Sequence, residues 1–177
     1  TNCYRLVETY ANGDVRGLRI INNHSYGTFG ICYLLDATNT SDSEILNNHD
    51  YGYSATLPDG ITEAFFIYTA GVSNLTITGN TVQGMVGLYW SRTYNLLDVT
   101  ILNNSFAATA TAIFAHLFSG DTVKQNRLTI SGNKFRNTSS TTIQVTGNNT
   151  AIEDNWFADC NTSAYLAGVV ALGSAGS

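Results

Sequence analysis

Two aspartates stand where the cleavage of a sugar chain would need them. Asp42 and Asp98 each lie three residues before a recurring isoleucine, with Asn74 at the same position between them. If the repeats stack at the spacing of neighbouring strands, the two carboxyls lie two steps, about 9.6 Å, apart. That is near the upper end of the separation in an inverting glycosidase, where one carboxyl protonates the leaving oxygen and the other activates water. Aspartate also favours turns that precede strands, which gives the pair a structural explanation as well. A second set of residues suits sugar binding. Tyr51, Tyr53 and Glu63 flank an excursion, Tyr53–Gly60, that holds the only proline, and Tyr89, Trp90 and Arg92 follow in the next repeat. Aromatic faces support the apolar side of a sugar ring while polar groups meet its hydroxyls.

A third set is the pair of near-identical segments Asn22-Asn23-His24-Ser25-Tyr26-Gly27 and Asn47-Asn48-His49-Asp50-Tyr51-Gly52. Stacking would place His24 on His49 and Tyr26 on Tyr51. Two imidazoles could hold a metal, but their column continues through Thr81, Ser105, Lys134 and Trp156 with no third ligand. No metal and no cofactor are expected. Exposed turn residues are the simpler reading.

The elements that must position these residues are repeats. Six times an isoleucine is followed three residues later by an asparagine: Ile20/Asn23, Ile45/Asn48, Ile77/Asn80, Ile101/Asn104, Ile130/Asn133 and Ile152/Asn155. Successive isoleucines are 25, 32, 24, 29 and 22 residues apart, in the range of solenoid repeats. In most repeats an apolar residue (Leu18, Leu75, Val99, Leu128) stands two before the isoleucine, the alternation of a half-buried strand. Two after the asparagine come Ser25, Asp50, Val82, Phe106, Phe135 and Phe157. Three stacked phenylalanines belong inside, and Asp50 must then pair locally or turn outward.

Stacking also aligns the asparagines. Amides in a ladder donate and accept along it and can satisfy backbone groups at a bend, so a polar residue is tolerated there. A second apolar run follows each turn, at 29–35, 64–68, 85–90, 112–118, 141–145 and 166–172. Each repeat therefore has two strands or more. The gaps are rich in Gly, Ser, Thr, Asn and Asp, and no helical period is sustained. The expected fold is all-β, a right-handed parallel β-helix of about six coils with an internal asparagine ladder. It forms a single domain over 1–177, with an entry segment at 1–17 and a last coil or partner-facing tail at 165–177. The start at Thr1 without methionine reads as a piece of a longer chain.

The segments Leu75-Thr76-Ile77-Thr78-Gly79-Asn80, Val99-Thr100-Ile101-Leu102-Asn103-Asn104 and Leu128-Thr129-Ile130-Ser131-Gly132-Asn133 resemble coils of the pectate-lyase-like superfamily of β-helices. The resemblance covers about residues 18–172. That superfamily includes lyases, glycoside hydrolases, epimerases, adhesins and bacteriophage tailspikes, so the fold does not by itself name the function. The likeness to tailspikes implies a homotrimer and a place on the virion surface or outside the cell.

Composition excludes other classes. Eight Lys and Arg against 13 Asp and Glu, a net charge of −5, do not make a phosphate-neutralising surface, so nucleic acid is not an expected partner. No apolar run is long enough to insert in a membrane. Cys3, Cys32 and Cys160 have no metal-like spacing and read as structural thiols. Thr76, Thr100 and Thr129 resemble the threonine arrays of ice-binding solenoids, but Arg19, Glu44 and Ala151 interrupt the column. Arg19 and Glu44 are expected to form a cross-strand ion pair. The expected function is recognition, with or without cleavage, of cell-surface polysaccharide, as in a bacteriophage tailspike or tail fibre. As an enzyme the chain would be a depolymerase, a glycoside hydrolase or lyase. The alternative is a structural or adhesin module.

Overall fold

Alternation around each repeat isoleucine makes a strand with one dry face, and the dry faces stack. Ile20, Ile45, Ile77, Ile101, Ile130 and Ile152 lie in register on neighbouring parallel strands. All but the last are fully buried; Ile152 packs at the edge of the core. The chain is a parallel β-helix. Its computed structural model describes residues 6–9, 13–28, 31–35, 39–53, 65–69, 71–83, 85–87, 96–107, 111–115, 125–146, 148–162 and 169–173.

Three sheets wrap the core. The first holds β1 (Val7–Thr9), β5 (Ile31–Leu35), β8 (Phe65–Thr69), β11 (Met85–Gly87), β14 (Ile113–Ala115), β17 (Ile143–Thr146) and β20 (Val170–Gly173). The second holds β2 (Asp14–Arg16), β3 (Arg19–Ile21), β6 (Asn39–Leu46), β9 (Val72–Thr78), β12 (Leu96–Leu102), β15 (Gln125–Ser131) and β18 (Asn148–Glu153). The third holds β4 (His24–Thr28), β7 (His49–Tyr53), β10 (Thr81–Val82), β13 (Ser105–Ala107), β16 (Lys134–Arg136) and β19 (Trp156–Ala158). The chain visits second, third and first sheet in turn. The second apolar runs of the sequence supply the first sheet, and the short strands after each ladder asparagine supply the third.

The column two after the asparagine points inward. Phe106 stacks on Phe135 with centroids 5.2 Å apart, and Phe135 on Phe157 at 5.0 Å. At the other end of the column Asp50 is buried, and Ser25 Oγ donates to its Oδ1 at 2.5 Å. It pairs locally and does not turn outward.

The asparagine ladder forms the corner between second and third sheets. Asn80 shows the pattern: its backbone N–H and its Nδ2 both donate to Asn104 Oδ1, each at 2.9 Å. Nδ2 also donates to Ile45 O at 3.0 Å, in the preceding coil. One side chain thus ties three successive coils together. The same set recurs at Asn48, Asn104 and Asn133. Both amide hydrogens and both lone pairs of the carbonyl are used, which is why burial of these side chains carries no unpaired-group penalty.

Three corner columns have left-handed backbone. Directly before the ladder come Asn22, Asn47, Gly79, Asn103, Gly132 and Asp154, with φ from 52° to 69°. Three before the repeat isoleucine come Gly17, Asp42, Asn74, Asp98, Arg127 and Asn149, with φ from 50° to 68°. Asn137 and Asp159 follow the third sheet with φ of 54° and 52°. Gly, Asn and Asp tolerate this conformation best, which accounts for the Asn-rich composition. At Gly132 a Cβ would fall inside contact distance of Asn103 Oδ1, the side chain one coil below.

Asn104→Leu should lower stability by about 2–6 kcal/mol, since the two donors of Asn80 lose their acceptor at ~1–3 kcal/mol each. Phe135→Ala should cost about 3–5 kcal/mol through the space it vacates. Urea unfolding checks both; a variant unfolding at the parent's midpoint would remove that residue from the load-carrying core. Gly132→Ala should also destabilise, and Asn103→Gly in the same chain, which removes the amide and keeps the left-handed φ of 53° accessible, should recover part of the loss. No recovery would show that backbone φ alone, and not the amide contact, requires glycine there.

Candidate functional site

The column containing Asp42 and Asp98 is a bend. Within β6, Thr40 and Ser43 are buried while Ser41 and Asp42 between them are not, so the inward-outward alternation slips by one residue at the left-handed position. The register skips the same position on neighbouring strands. The carboxylates therefore stand outside the helix, with Asn74 between them as the spacing predicts.

Each is occupied. Arg16 Nε donates to Asp42 Oδ2 at 2.7 Å, and Asn74 Nδ2 donates to Asp42 Oδ1 at 2.9 Å. Arg127 donates from Nε and Nη2 to the two oxygens of Asp98. The Asn74 amide and the Arg16 guanidinium hold the Asp42 carboxyl below its ordinary 3.8. The Arg127 fork does the same for Asp98, and Asp98 in turn raises Arg127. A general acid must carry its proton at the working pH, which calls for a raised pKa. Both environments act in the other direction. The arrangement supports corner fastening, with Arg127 the one long side chain in a column otherwise of Gly, Asn and Asp.

The remaining predicted binding residues divide. Tyr51 and Tyr53 belong to β7, in the third sheet, where Tyr51 is in register with Tyr26 and Tyr53 with Thr28. Glu63, Tyr89, Trp90 and Arg92 lie outside the described residues, as does the excursion from residue 54 onward.

The outer face of that third sheet is the better site. One register column runs His24, His49, Thr81, Ser105, Lys134, Trp156. At about 4.8 Å per strand it spans about 24 Å. Its members alternate with the buried Ser25-to-Phe157 column, so they face out. His24 and His49 stack at 4.8 Å and 12°. Thr81 and Ser105 present short hydroxyl side chains in the middle. At the far end Trp156 is 47% exposed, and the Arg136 guanidinium lies over its ring at 5.0 Å. Large side chains at both ends bracket a low hydroxyl-lined stretch. The sheet fixes the spacing of the backbone positions that carry the row, which lowers the cost of ordering it against a ligand.

Trp156 and Lys134 were missed as binding residues because their column reads in sequence only as an incomplete metal site, and Arg136 belongs to the column beside it, with Ala107 and Ala158. The signal was present: parity relative to the inward phenylalanines puts this column outside. Among the described residues no three His, Cys, Asp or Glu side chains converge as a metal site would need, and no helix is long and apolar enough to cross a membrane. Arg19 pairs with Glu44 as expected. Cys160 lies half-buried at a corner, its Sγ donating to Phe135 O and Ala158 O. No protein-family model, no curated protein and no solved structure matches the chain.

The carboxyls differ in how they respond to acid. Burial raises Asp50 above 3.8, against the smaller opposite effect of Ser25. Its contribution to stability is therefore full below 3.8 and lost as pH rises through its folded pKa. The lowered Asp98 contributes above 3.8, and that contribution is lost as pH falls through its folded pKa. Thermal melting across pH should accordingly show Asp50→Asn more stable than the parent near pH ~7, with the gain shrinking in acid. Asp98→Asn should be less stable near neutrality, and its deficit should shrink in acid. Differences independent of pH would contradict these assignments.

Proposed function

We propose that the outer face of the third sheet recognises polysaccharide on a cell surface, as a bacteriophage tailspike or tail fibre of the pectate-lyase-like β-helix type would. The observation that carries this reading is Trp156: a large aromatic ring, 47% exposed, on a strand that restrains it. An exposed indole offers the apolar face of a sugar a platform. The hydroxyls of Thr81 and Ser105 and the imidazoles of His24 and His49 supply polar partners along the same column. Tyr51 and Tyr53 belong to the same sheet. A row about 24 Å long accommodates several sugar units, and weak contacts repeated along a chain add up.

Binding is favoured over cleavage, because Asp42 and Asp98 are engaged by Arg16, Asn74 and Arg127 and are pushed away from the protonated state a general acid needs. A homotrimer would multiply such rows and raise avidity, and the setting would be extracellular or on a virion. The same engaged carboxylates also suit a structural or adhesin module.

The test is incubation of the protein with bacterial capsular and O-antigen polysaccharides, following bound glycan and new chain ends. Bound glycan without shortening is expected, and Trp156→Ala should weaken binding about tenfold, or ~1.4 kcal/mol. Retention of parental affinity by Trp156→Ala would overturn the placement of the site. Shortening abolished by Asp42→Asn or Asp98→Asn would instead establish a depolymerase with those carboxylates.

A further inference from the structure

We propose that Lys134, Arg136 and Trp156 form an anion subsite, and that the polysaccharide recognised is acidic, with a carboxylate on its sugar ring. This deepens the proposed glycan recognition and rests on it. The argument begins with which cations are already satisfied. Five Lys and Arg fall among the described residues. The three on the second sheet each hold a carboxylate: Arg16 with Asp42, Arg19 with Glu44, Arg127 with Asp98. Lys134 and Arg136, both exposed on β16, have no ion-pair partner among the described residues.

The chain as a whole is acidic, at −5, yet the described outward row of the third sheet has no carboxylate. Its column is His24, His49, Thr81, Ser105, Lys134 and Trp156, with Ala107, Arg136 and Ala158 beside it. The one carboxylate on these strands, Asp50, is buried on the other side against Ser25. The nearest acids along the chain are Glu153 at the end of β18 and Asp154 and Asp159 at the two corners that bound β19. The two cations without an ion-pair partner among the described residues thus share one face of an acidic molecule.

The geometry around Trp156 fits a particular group. Lys134 is in register with Trp156 on the adjacent strand, and the Arg136 guanidinium lies 5.0 Å from the indole centroid. That cation–π contact orients the guanidinium plane while leaving its N–H donors able to point outward. A pyranose resting against the indole brings a ring carboxylate within reach of the planar fork of Arg136 and the ammonium of Lys134. The fork matches a carboxylate bidentately, and the ammonium adds a point charge. A neutral sugar would use the ring and leave both cations to water.

The test uses hyaluronate and alginate, each in native form and after carboxyl reduction, together with the neutral glycans of the panel above and a mixed-sequence single-stranded DNA. Binding of a native acidic chain, lost on reduction and weakened by added salt, is expected. Lys134→Gln and Arg136→Gln should each weaken it about tenfold, with circular dichroism and melting unchanged because both side chains are exposed. Equal binding of native and reduced chains, or of neutral glycans alone, would overturn the anion subsite and leave glycan recognition standing. Failure to bind any acidic chain overturns the subsite as well, and failure of the whole panel overturns both readings. Preference for DNA over every glycan would also overturn both.

Discussion

The fold and its candidate site depend on one interaction, the amide ladder running through Asn48, Asn80, Asn104 and Asn133. Each of these side chains accepts from the coil before it, donates to the coil after it and donates to a carbonyl of the coil before. The backbone carbonyl of each then accepts from the N–H of the residue that opens the next strand of the third sheet, as Asn80 O does from Ser105 N at 2.8 Å and Asn104 O from Lys134 N at 2.8 Å. The outward column His24, His49, Thr81, Ser105, Lys134, Trp156 is therefore the residue immediately following each ladder asparagine. Whatever holds the amides in line holds that row in line.

The left-handed corners explain how a chain can turn repeatedly with few glycines at the bends. Asn and Asp take most of these positions, and their short polar side chains bond to neighbours in the stack. On the second sheet this produces a surface that satisfies itself: Arg16, Asn74 and Arg127 occupy the carboxylates at the bend, and Arg19 occupies Glu44. On the third sheet the outward residues include an exposed indole and two cations with no carboxylate partner among the described residues. The two faces of the same scaffold thus differ in charge pairing: the described cations of the second sheet hold carboxylates, and Lys134 and Arg136 have no ion-pair partner among the described residues.

Much of the scaffold was legible in the sequence because stacking makes like residues recur. The isoleucine–asparagine offset identified the ladder, and the inward phenylalanines followed from strand parity. The His24–His49 stack and the Arg19–Glu44 pair followed from register. Three features were not legible. The third sheet was hidden because its strands are as short as two residues at Thr81–Val82, too short to show alternation. The bend at Asp42 and Asp98 is obscured because a left-handed residue inside a strand looks, in sequence, like an ordinary polar position. Trp156 was passed over because one exposed aromatic has no repeat to announce it. Of the predicted binding residues, Tyr51 and Tyr53 belong to the sheet that carries Trp156.

The most direct measurement is a nuclear magnetic resonance titration of the isotope-labelled protein with a fragment of a polysaccharide it binds, reading backbone and side-chain N–H shifts together. The account predicts perturbations along Thr81, Ser105, Lys134, Arg136 and the Trp156 indole, with the signals of Asp42, Asn74, Asp98 and Arg127 unmoved. Perturbations centred on the Asp42-to-Arg127 bend, with the third sheet silent, would contradict it.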